Sequence, residues 1–244
     1  MELYNGDCID VMEKMINSGV VVDCIIVDPP YNINYQKWDN NFNIKKAIDL
    51  SIKLVKPGGN IIIFQGWSEV SNTIQYIYEK ESEINLTNWI IWDRIKGRGA
   101  SKQLVSTRED ILWVTKKGSK YTFNKIDSNI PKKTKGMGEK NGRKNRALTN
   151  VWYDISPIVP WSKERNGHPT QKPLQLMERI VTLWSNEGDV VLDFCMGSGS
   201  TGEACNNLNR EFIGIEKDEK WFEYAKGRLY GNYKRDCKTE NEES

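Results

Sequence analysis

The sequence has no long apolar run and no regular cysteine spacing, and each shortage excludes a class of protein. Because no stretch of about 18 consecutive apolar residues occurs, no membrane-spanning helix is predicted. The first ten residues, MELYNGDCID, lack the basic and apolar regions of a secretory signal. A location inside the cell, in the cytoplasm, is therefore expected.

The five cysteines are odd in number and include no Cys-x-x-Cys pair. This spacing argues against a disulfide framework and against a zinc site, so no metal is predicted. Small, buried, reduced thiols are the simpler interpretation for the cysteines that stand among apolar residues.

Positive charge is concentrated in one part of a chain whose formal net charge is only +2. The stretch from Lys116 to Arg146 holds eleven basic and two acidic residues, whereas the rest of the chain holds 24 basic and 31 acidic residues. Such segregation indicates contact with a polyanion at a defined place. The alternative is a solvated loop, which is what a lysine-rich run usually means.

Apolar runs alternate with helix-like patterns along most of the 244 residues, which suffice for one α/β domain with an insertion. The alternation predicts a mostly parallel, twisted sheet with helices on both faces. Predicted strands are 23–28, 60–66, 85–94, 110–117, 189–194 and 211–216; predicted helices are 44–56, 69–80, 172–186, 200–208 and 218–229. The KPGG at 56–59 is expected to end the first helix. The pattern breaks down at 117–160, and a polar tail follows residue 231.

A glycine-rich loop, VVLDFCMGSGSTGEAC at 190–205, follows one predicted strand and opens a helix. Gly197, Gly199 and Gly202 match G-x-G-x-x-G, a pattern that brings backbone N–H groups close to a ligand. Glu216 ends the next strand, where a carboxylate can bind a ribose diol, but the spacing is shorter than in a usual dinucleotide site. The loop alone fits NAD, S-adenosylmethionine or a simple tight turn.

A second loop, DPPY at 28–31, also follows a predicted buried strand. Neither Pro29 nor Pro30 has an N–H, so the turn offers carbonyl acceptors on a stiff frame. Asp28 adds a carboxylate and Tyr31 a flat ring, and together they suit a planar group that carries an NH2. An ordinary proline turn with a capping Asp is the alternative.

These stretches resemble motifs of one family. DPPY at 28–31 is similar to the catalytic motif, and FCMGSG at 194–199 to the cofactor motif, of the DNA amino-methyltransferases, which methylate the exocyclic nitrogen of adenine or cytosine. HPTQKP at 168–173 and NGDCIDVM at 5–12 resemble two further elements, and FCMGSG has one residue more than Phe-x-Gly-x-Gly. The motif order is that of the permuted β class. The resemblance covers about 1–116 and 161–230.

The resemblance implies a Rossmann-like S-adenosylmethionine-dependent methyltransferase fold. It assigns the catalytic site to Asp28, Pro29, Pro30 and Tyr31, with Asp28 bordering the cofactor and Tyr31 stacking on an extruded base. For the cofactor it implies Phe194, Gly197, Ser198, Gly199 and Thr201 at the methionine side, Glu216 at the ribose, Asp7 at the adenine end, and His168, Thr170 and Lys172 near the carboxylate. A positioning role is preferred to a general-base role for His168. Asp193 is expected to cap the turn.

The same resemblance divides the chain into four parts: a catalytic half at 1–116, a basic insert for target recognition at 117–160, a cofactor-binding half at 161–230 and a polar tail at 231–244. Contacts with double-stranded DNA are expected from Lys132, Lys133, Lys135, Lys140, Arg143, Lys144 and Arg146. Lysines would bind phosphates, and the two arginines could reach guanine edges.

The favoured function is methylation of adenine N6 in DNA after base flipping. By the family resemblance, Asp as the first residue of the DPPY motif favours adenine over cytosine. Four alternatives stay open: a cytosine N4 methyltransferase, an RNA or protein-amide N-methyltransferase, a nucleic-acid-binding protein with a relic cofactor site, and, least favoured, an NAD oxidoreductase. The sequence leaves open whether the protein is a monomer or a homodimer. It also leaves open whether a cognate restriction endonuclease accompanies it.

Overall fold

A computed structural model describes residues 1–32, 41–94, 102, 104–131 and 145–231. Strands and helices alternate along most of this part of the chain. In order they are β1 (Glu2–Asn5), α1 (Cys8–Asn17), β2 (Val22–Val27), α2 (Ile44–Leu54), β3 (Val55–Gln65), α3 (Val70–Glu79), β4 (Ile84–Asp93), β5 (Arg108–Lys116), β6 (Asp127–Pro131), β7 (Asn145–Ala147), β8 (Val151–Trp152), α4 (Leu174–Trp184), β9 (Val190–Asp193), α5 (Ser200–Asn207), β10 (Glu211–Glu216) and α6 (Glu219–Leu229).

The main sheet has eight strands in the order β1-β10-β9-β2-β3-β5-β4-β8. Neighbouring strands are parallel except where β5 lies antiparallel between β3 and β4. The central strands β2, β3 and β9 are largely apolar and buried, as expected for a sheet that is covered on both faces. The prediction of a mostly parallel α/β sheet is therefore confirmed.

The two faces of the sheet are packed against different helices. In β2, Ile25 and Val27 join a core with α1, α2 and α3. The alternate residues Cys24 and Ile26 join a second core with α4, α5 and α6. This alternation follows from the two-residue period of a strand, and it places helices on both faces as predicted.

Two stretches differ from the sequence-based expectation. KPGG does not form a loop after α2: it lies inside β3, where the register against β2 shifts between the Val22–Val55 and Cys24–Asn60 pairs. The glycines accommodate this irregularity, since Gly58 has φ +77°. Within 117–160, β6 and β7 form an antiparallel pair and β8 joins the main sheet beside β4.

The strand order places the ends of β2 and β9 side by side, while β10 and β3 continue the sheet in opposite directions. Such a reversal leaves a crevice at the carboxyl ends of the strands, where ligands bind in open α/β sheets. Both loops that the sequence singled out start here. Among the described residues, no helix has the length and apolar character needed to cross a bilayer.

Candidate functional site

A cavity of about 280 Å³ opens at the carboxyl ends of β2, β9 and β10. It brings together residues that are far apart in the chain. Of the residues predicted for the site, those that line it are Asp7, Asp28, Pro30, His168, Thr170, Lys172, Phe194, Gly197, Ser198, Thr201 and Glu216. Pro29, Tyr31 and Gly199 lie next to lining residues but outside the lining itself.

The glycine loop wraps around the carboxylate of Glu216. Gly197, with φ +51°, donates its backbone N–H to Glu216 Oε2 at 2.9 Å. Asp218 donates its backbone N–H to Oε1 at 2.8 Å. Burial raises the pKa of Glu216, although these hydrogen bonds oppose the change. The loop and the end of β10 therefore form one preformed rim.

Gly199 shapes the loop from below. It has φ +80° and precedes α5, whose first turn faces the cavity through Ser200 and Thr201. A Cβ on Gly199 would lie 3.2 Å from Ala225 Cβ, so the glycine allows α5 and α6 to approach closely. Gly199 thus orients the helix that lines the cavity.

Asp193, the last residue of β9, holds the turn that follows. Thr201 Oγ1 donates to its Oδ2 at 2.5 Å, and Cys195 N donates to its Oδ1 at 3.0 Å. Burial raises the pKa of Asp193 to about 7. These bonds agree with the turn-capping role expected from the sequence, and the residue also lines the cavity.

The DPPY turn places a carboxylate at the opposite wall. Asp28 directly follows β2, and Tyr31 donates its hydroxyl to Asp28 Oδ1 at 2.7 Å. The Tyr31 ring packs on Gly66, where a Cβ would come within 3.1 Å of ring atom Cδ2. Burial and the adjacent Asp28 raise the pKa of the Tyr31 phenol. The phenol therefore stays protonated and donates to Asp28.

Lys172 reaches Asp28 from the other side. Its ammonium contacts Asp28 Oδ2, lies 3.3 Å from Glu109 Oε2 and sits 5.2 Å from the centroid of the Phe64 ring. Only 9% of the Lys172 side chain is exposed. Burial alone would lower the pKa of Lys172, but the charges of Asp28 and Glu109 outweigh it and raise that pKa. The lysine therefore stays charged.

His168 supports the glycine loop. Its Nε2 lies 3.1 Å from the position that a Cβ on Gly197 would occupy, and its ring meets the Trp221 ring edge-on at 4.4 Å between centroids. Thr170 N donates to His168 Nδ1 at 3.3 Å. Burial lowers the pKa of His168 to about 4, so the ring is neutral at pH 7. These contacts fit positioning better than proton transfer.

Asp7 closes the far end of the cavity. It caps α1 by accepting from Ile9 N at 3.0 Å, and it pairs with Lys217 Nζ at 3.0 Å. Burial opposes ionisation of Asp7, but the hydrogen bonds from Lys217 and Ile9 outweigh it and lower the pKa of Asp7. A fixed anionic acceptor therefore stands at this end.

Trp221 and Glu109 are among the residues of the site that the sequence analysis did not predict. Trp221 lines the cavity from the first turn of α6, and only its position just after Glu216 could have suggested it. Glu109 reaches Lys172 because β5 runs antiparallel and so begins where β3 ends. No local sequence pattern indicates that Glu109 and Lys172 are paired.

The predicted DNA-contact residues fall mostly outside the described part of the chain. That is the case for Lys132, Lys133, Lys135, Lys140, Arg143 and Lys144. Arg146 is described: it lies in β7, and its backbone carbonyl accepts from Ser128 Oγ at 3.0 Å. Trp161 is 76% exposed, whereas Trp152 is buried in the core and is not available to a ligand.

Comparisons with known proteins agree on one family. The model of a family described as "DNA methylase" matches residues 22–227. The Type II methyltransferase M.HpaI of Haemophilus parainfluenzae is 37% identical over 85% of this chain and 68% of its own length.

Two solved structures share the fold. The M1.HpyAVI–SAM complex superimposes with a TM-score of 0.69 at 31% identity, covering 93% of this chain and 99% of that one. PvuII DNA methyltransferase, whose description reads cytosine-N4-specific, has a TM-score of 0.69 at 13% identity, covering 97% and 87%. At that identity the PvuII likeness shows the fold alone.

Proposed function

The chain belongs to the DNA methylase family of amino-methyltransferases, with S-adenosyl-L-methionine as cofactor, and we propose that it methylates the N6 amino group of adenine in double-stranded DNA. The observation that carries this proposal is geometric. Asp28 of the DPPY turn lines the same cavity as Gly197 and Glu216 of the cofactor loop. An amine held at Asp28 would therefore stand beside a ligand held by the loop.

The residues of the cavity fit the cofactor. Gly197 leaves a cradle that a Cβ would fill, since that atom would press on His168 at 3.1 Å. Glu216, fixed by two backbone N–H groups, would accept from the ribose hydroxyls, and Asp7 would accept from the adenine amine. Phe194, Ser198 and Thr201 would border the methionine part, with His168 and Thr170 beside them.

When bound, S-adenosyl-L-methionine supplies an electrophilic methyl group on a sulfonium. The protein has to align the target nitrogen and stabilise the positive charge that grows on it. Alignment can contribute up to roughly 7–11 kcal/mol in ideal cases. The Asp28 carboxylate and the Pro29 carbonyl would accept the two N–H bonds of the amine, which is stabilisation aimed at developing charge.

The target base has to leave the duplex to reach this cavity. Extrusion costs a few kcal/mol. Tyr31, half-buried against Gly66, stands beside Asp28 and is the proposed stacking partner of the base. Stacking on an aromatic ring can recover about 1–3 kcal/mol of that cost. Pro30, at the cavity wall, holds the turn rigid between the two residues.

The basic insert at 117–160 is the proposed target-recognition region, between a catalytic part at 1–116 and a cofactor-binding part at 161–230. Its described ends pack into the main fold: Trp152 and Ile155 are buried in the core of α4. Its charge favours DNA over a protein substrate. Because the insert is short, we propose that a second copy of the chain completes target reading.

Cytosine N4 is the second candidate target, since an enzyme described as cytosine-N4-specific shares the fold. The DPPY motif favours adenine by the family resemblance. The test is incubation with unmethylated plasmid DNA and labelled cofactor, followed by digestion to nucleosides. We expect label in N6-methyl-2′-deoxyadenosine; label in N4-methyl-2′-deoxycytidine would establish the second candidate, and unlabelled DNA would refute both. Methylation-sensitive sequencing of the same plasmid would give the recognised site.

A further inference from the structure

Both oxygens of Asp28, the proposed acceptor of the target amine, already have partners within the protein. Asp28 Oδ1 accepts from the Tyr31 hydroxyl at 2.7 Å, and Oδ2 contacts the Lys172 ammonium. The carboxylate is anchored on one side and covered on the other. An amine that enters the cavity therefore meets a charged competitor at the oxygen that faces Lys172.

A second carboxylate, that of Glu109, lies close to the Lys172 ammonium. Glu109 Oε2 lies 3.3 Å from Lys172 Nζ, and it is buried without a hydrogen-bond partner among the described residues. Glu109 is itself held in place, because Arg94 Nη1 contacts its other oxygen, Oε1, at 3.2 Å. The Phe64 ring, 5.2 Å from the ammonium, stabilises a cation between the two acidic groups.

We propose that Lys172 is a positioning residue that gates Asp28: it covers Oδ2 until the base amine arrives and then transfers to Glu109. This inference rests on the proposed function. In this structure the lysine contacts two partly buried carboxylates at once. On transfer, one oxygen of Asp28 becomes available while the lysine stays buried and paired. The net charge of the cluster does not change.

The gate gives Lys172 a role other than the one the family resemblance suggested. A cofactor ligand would have to direct its ammonium to the methionine carboxylate. In the structure the ammonium instead contacts Asp28 and Glu109, on the side of the cavity where β2 ends and β5 begins. Removal of the gate should therefore alter DNA turnover and leave cofactor affinity unchanged.

The test uses two variants of the full chain, Glu109→Gln and Lys172→Gln. Glu13→Gln serves as the matched control, because Glu13 pairs with Lys46 on the exposed face of α1. Measured quantities are kcat and KM for unmethylated plasmid DNA, and cofactor Kd by calorimetry. Glu109→Gln removes the second seat of the lysine, so KM for DNA should rise and kcat should fall about tenfold or more.

Lys172→Gln uncovers Asp28 but removes the cation that contacts its carboxylate. We therefore expect kcat to fall while KM for DNA stays level or falls. Cofactor Kd should be unchanged in both variants. A static ion-pair network would instead raise KM in both, and a cofactor ligand would raise the cofactor Kd; either result overturns the gate.

Glu109→Asp keeps the negative charge, so its rate should be close to that of the wild type. This variant therefore distinguishes a loss of gating from misfolding. A wild-type protein that methylates no DNA would refute the proposed function. Equal kinetics for Glu109→Gln and Glu13→Gln would refute only the gate.

Discussion

At the scale of single residues, Asp28 is the group that we propose accepts the target amine. It is the carboxylate of the cavity that is bonded both to Tyr31 and to Lys172. We expect Asp28→Ala to reduce methyl transfer by about 100- to 1000-fold or more, because the acceptor for developing charge is lost. Cofactor binding should persist, since Glu216 and the glycine loop are untouched.

Asp28→Asn is the matched variant for that measurement. It keeps the shape of the side chain and one carbonyl acceptor but not the charge. Transfer of labelled methyl groups and calorimetric cofactor binding are the two assays. Turnover near the wild-type rate in either variant would contradict a catalytic role for Asp28.

Asp193 gives a pH-dependent prediction. Its folded-state pKa of about 7 lies above the ordinary value of 3.8, so the folded protein binds an extra proton between these values. The Asp193 contribution to the free energy of unfolding therefore falls as pH rises through this window, by up to roughly 1.4 kcal/mol per unit. We expect Asp193→Asn to cost less stability at pH 8 than at pH 5.

Urea unfolding of wild type and Asp193→Asn at both pH values measures this difference. Burial lowers the pKa of His168 to about 4, which gives the opposite trend between that value and 6.5. His168 is present in both proteins, so its contribution cancels in the comparison. An equal cost at both pH values would show that Asp193 does not titrate in this range.

At the scale of elements, most of the fold was predictable from short patterns. β10 matches its predicted bounds, and α2 and α3 match within two residues, because their apolar periodicities are strong. α2 ends at Leu54, just before KPGG, as predicted, but β3 begins earlier than predicted and includes KPGG, since pairing with β2 through a register shift overrides the local turn preference. The β6–β7 pair does not follow from the sequence, because these short, mostly polar strands, DSNIP and NRA, carry no apolar alternation.

The site was predictable to the extent that its residues lie in local motifs. The DPPY turn and the glycine loop can be recognised in the sequence because each follows a predicted strand. The sheet brings them together, since β2 and β9 are neighbours. Glu109 and Trp221 depend on strand order and on helix packing, which a single sequence does not encode locally. The role of Lys172 could not be read either, because its partners lie 144 and 63 residues away in the chain.

The turn into α5 gives a prediction about cofactor affinity. Gly197 has φ +51°, and a Cβ there would also meet His168 at 3.1 Å. Gly197→Ala should therefore weaken cofactor binding by about tenfold, since backbone strain of about 1–3 kcal/mol disturbs the cradle. Calorimetry of cofactor binding and thermal unfolding are the two measurements.

Gly188→Ala is the control for that strain. Gly188 has φ +81° with nothing near its Cβ position, and it lies outside the cavity lining. It should lose stability to a similar degree but keep cofactor affinity. If both variants bound the cofactor with equal affinity, the Gly197 loop would not contribute to cofactor binding.

At the scale of the whole molecule, charge is distributed so that one segment is basic and the remainder acidic. An acidic body would repel DNA and the basic segment would attract it, so we expect the segment to orient the encounter. The exchange of Lys132 and Lys133 for Gln should weaken binding to all DNA sequences alike, because lysines contact phosphates and not base edges. Specificity between sites should stay the same.

The salt dependence of binding gives the sharper measurement. Each phosphate contact that is lost should flatten the plot of log affinity against log salt by roughly 0.9, or about 1.8 for the two lysines. Lys14 and Lys53, which are exposed on α1 and α2, serve as a control pair of equal charge. Their removal changes net charge equally but should leave the slope unchanged. If both pairs flatten the slope alike, net charge and not the basic segment sets DNA affinity; if neither does, DNA contacts another surface.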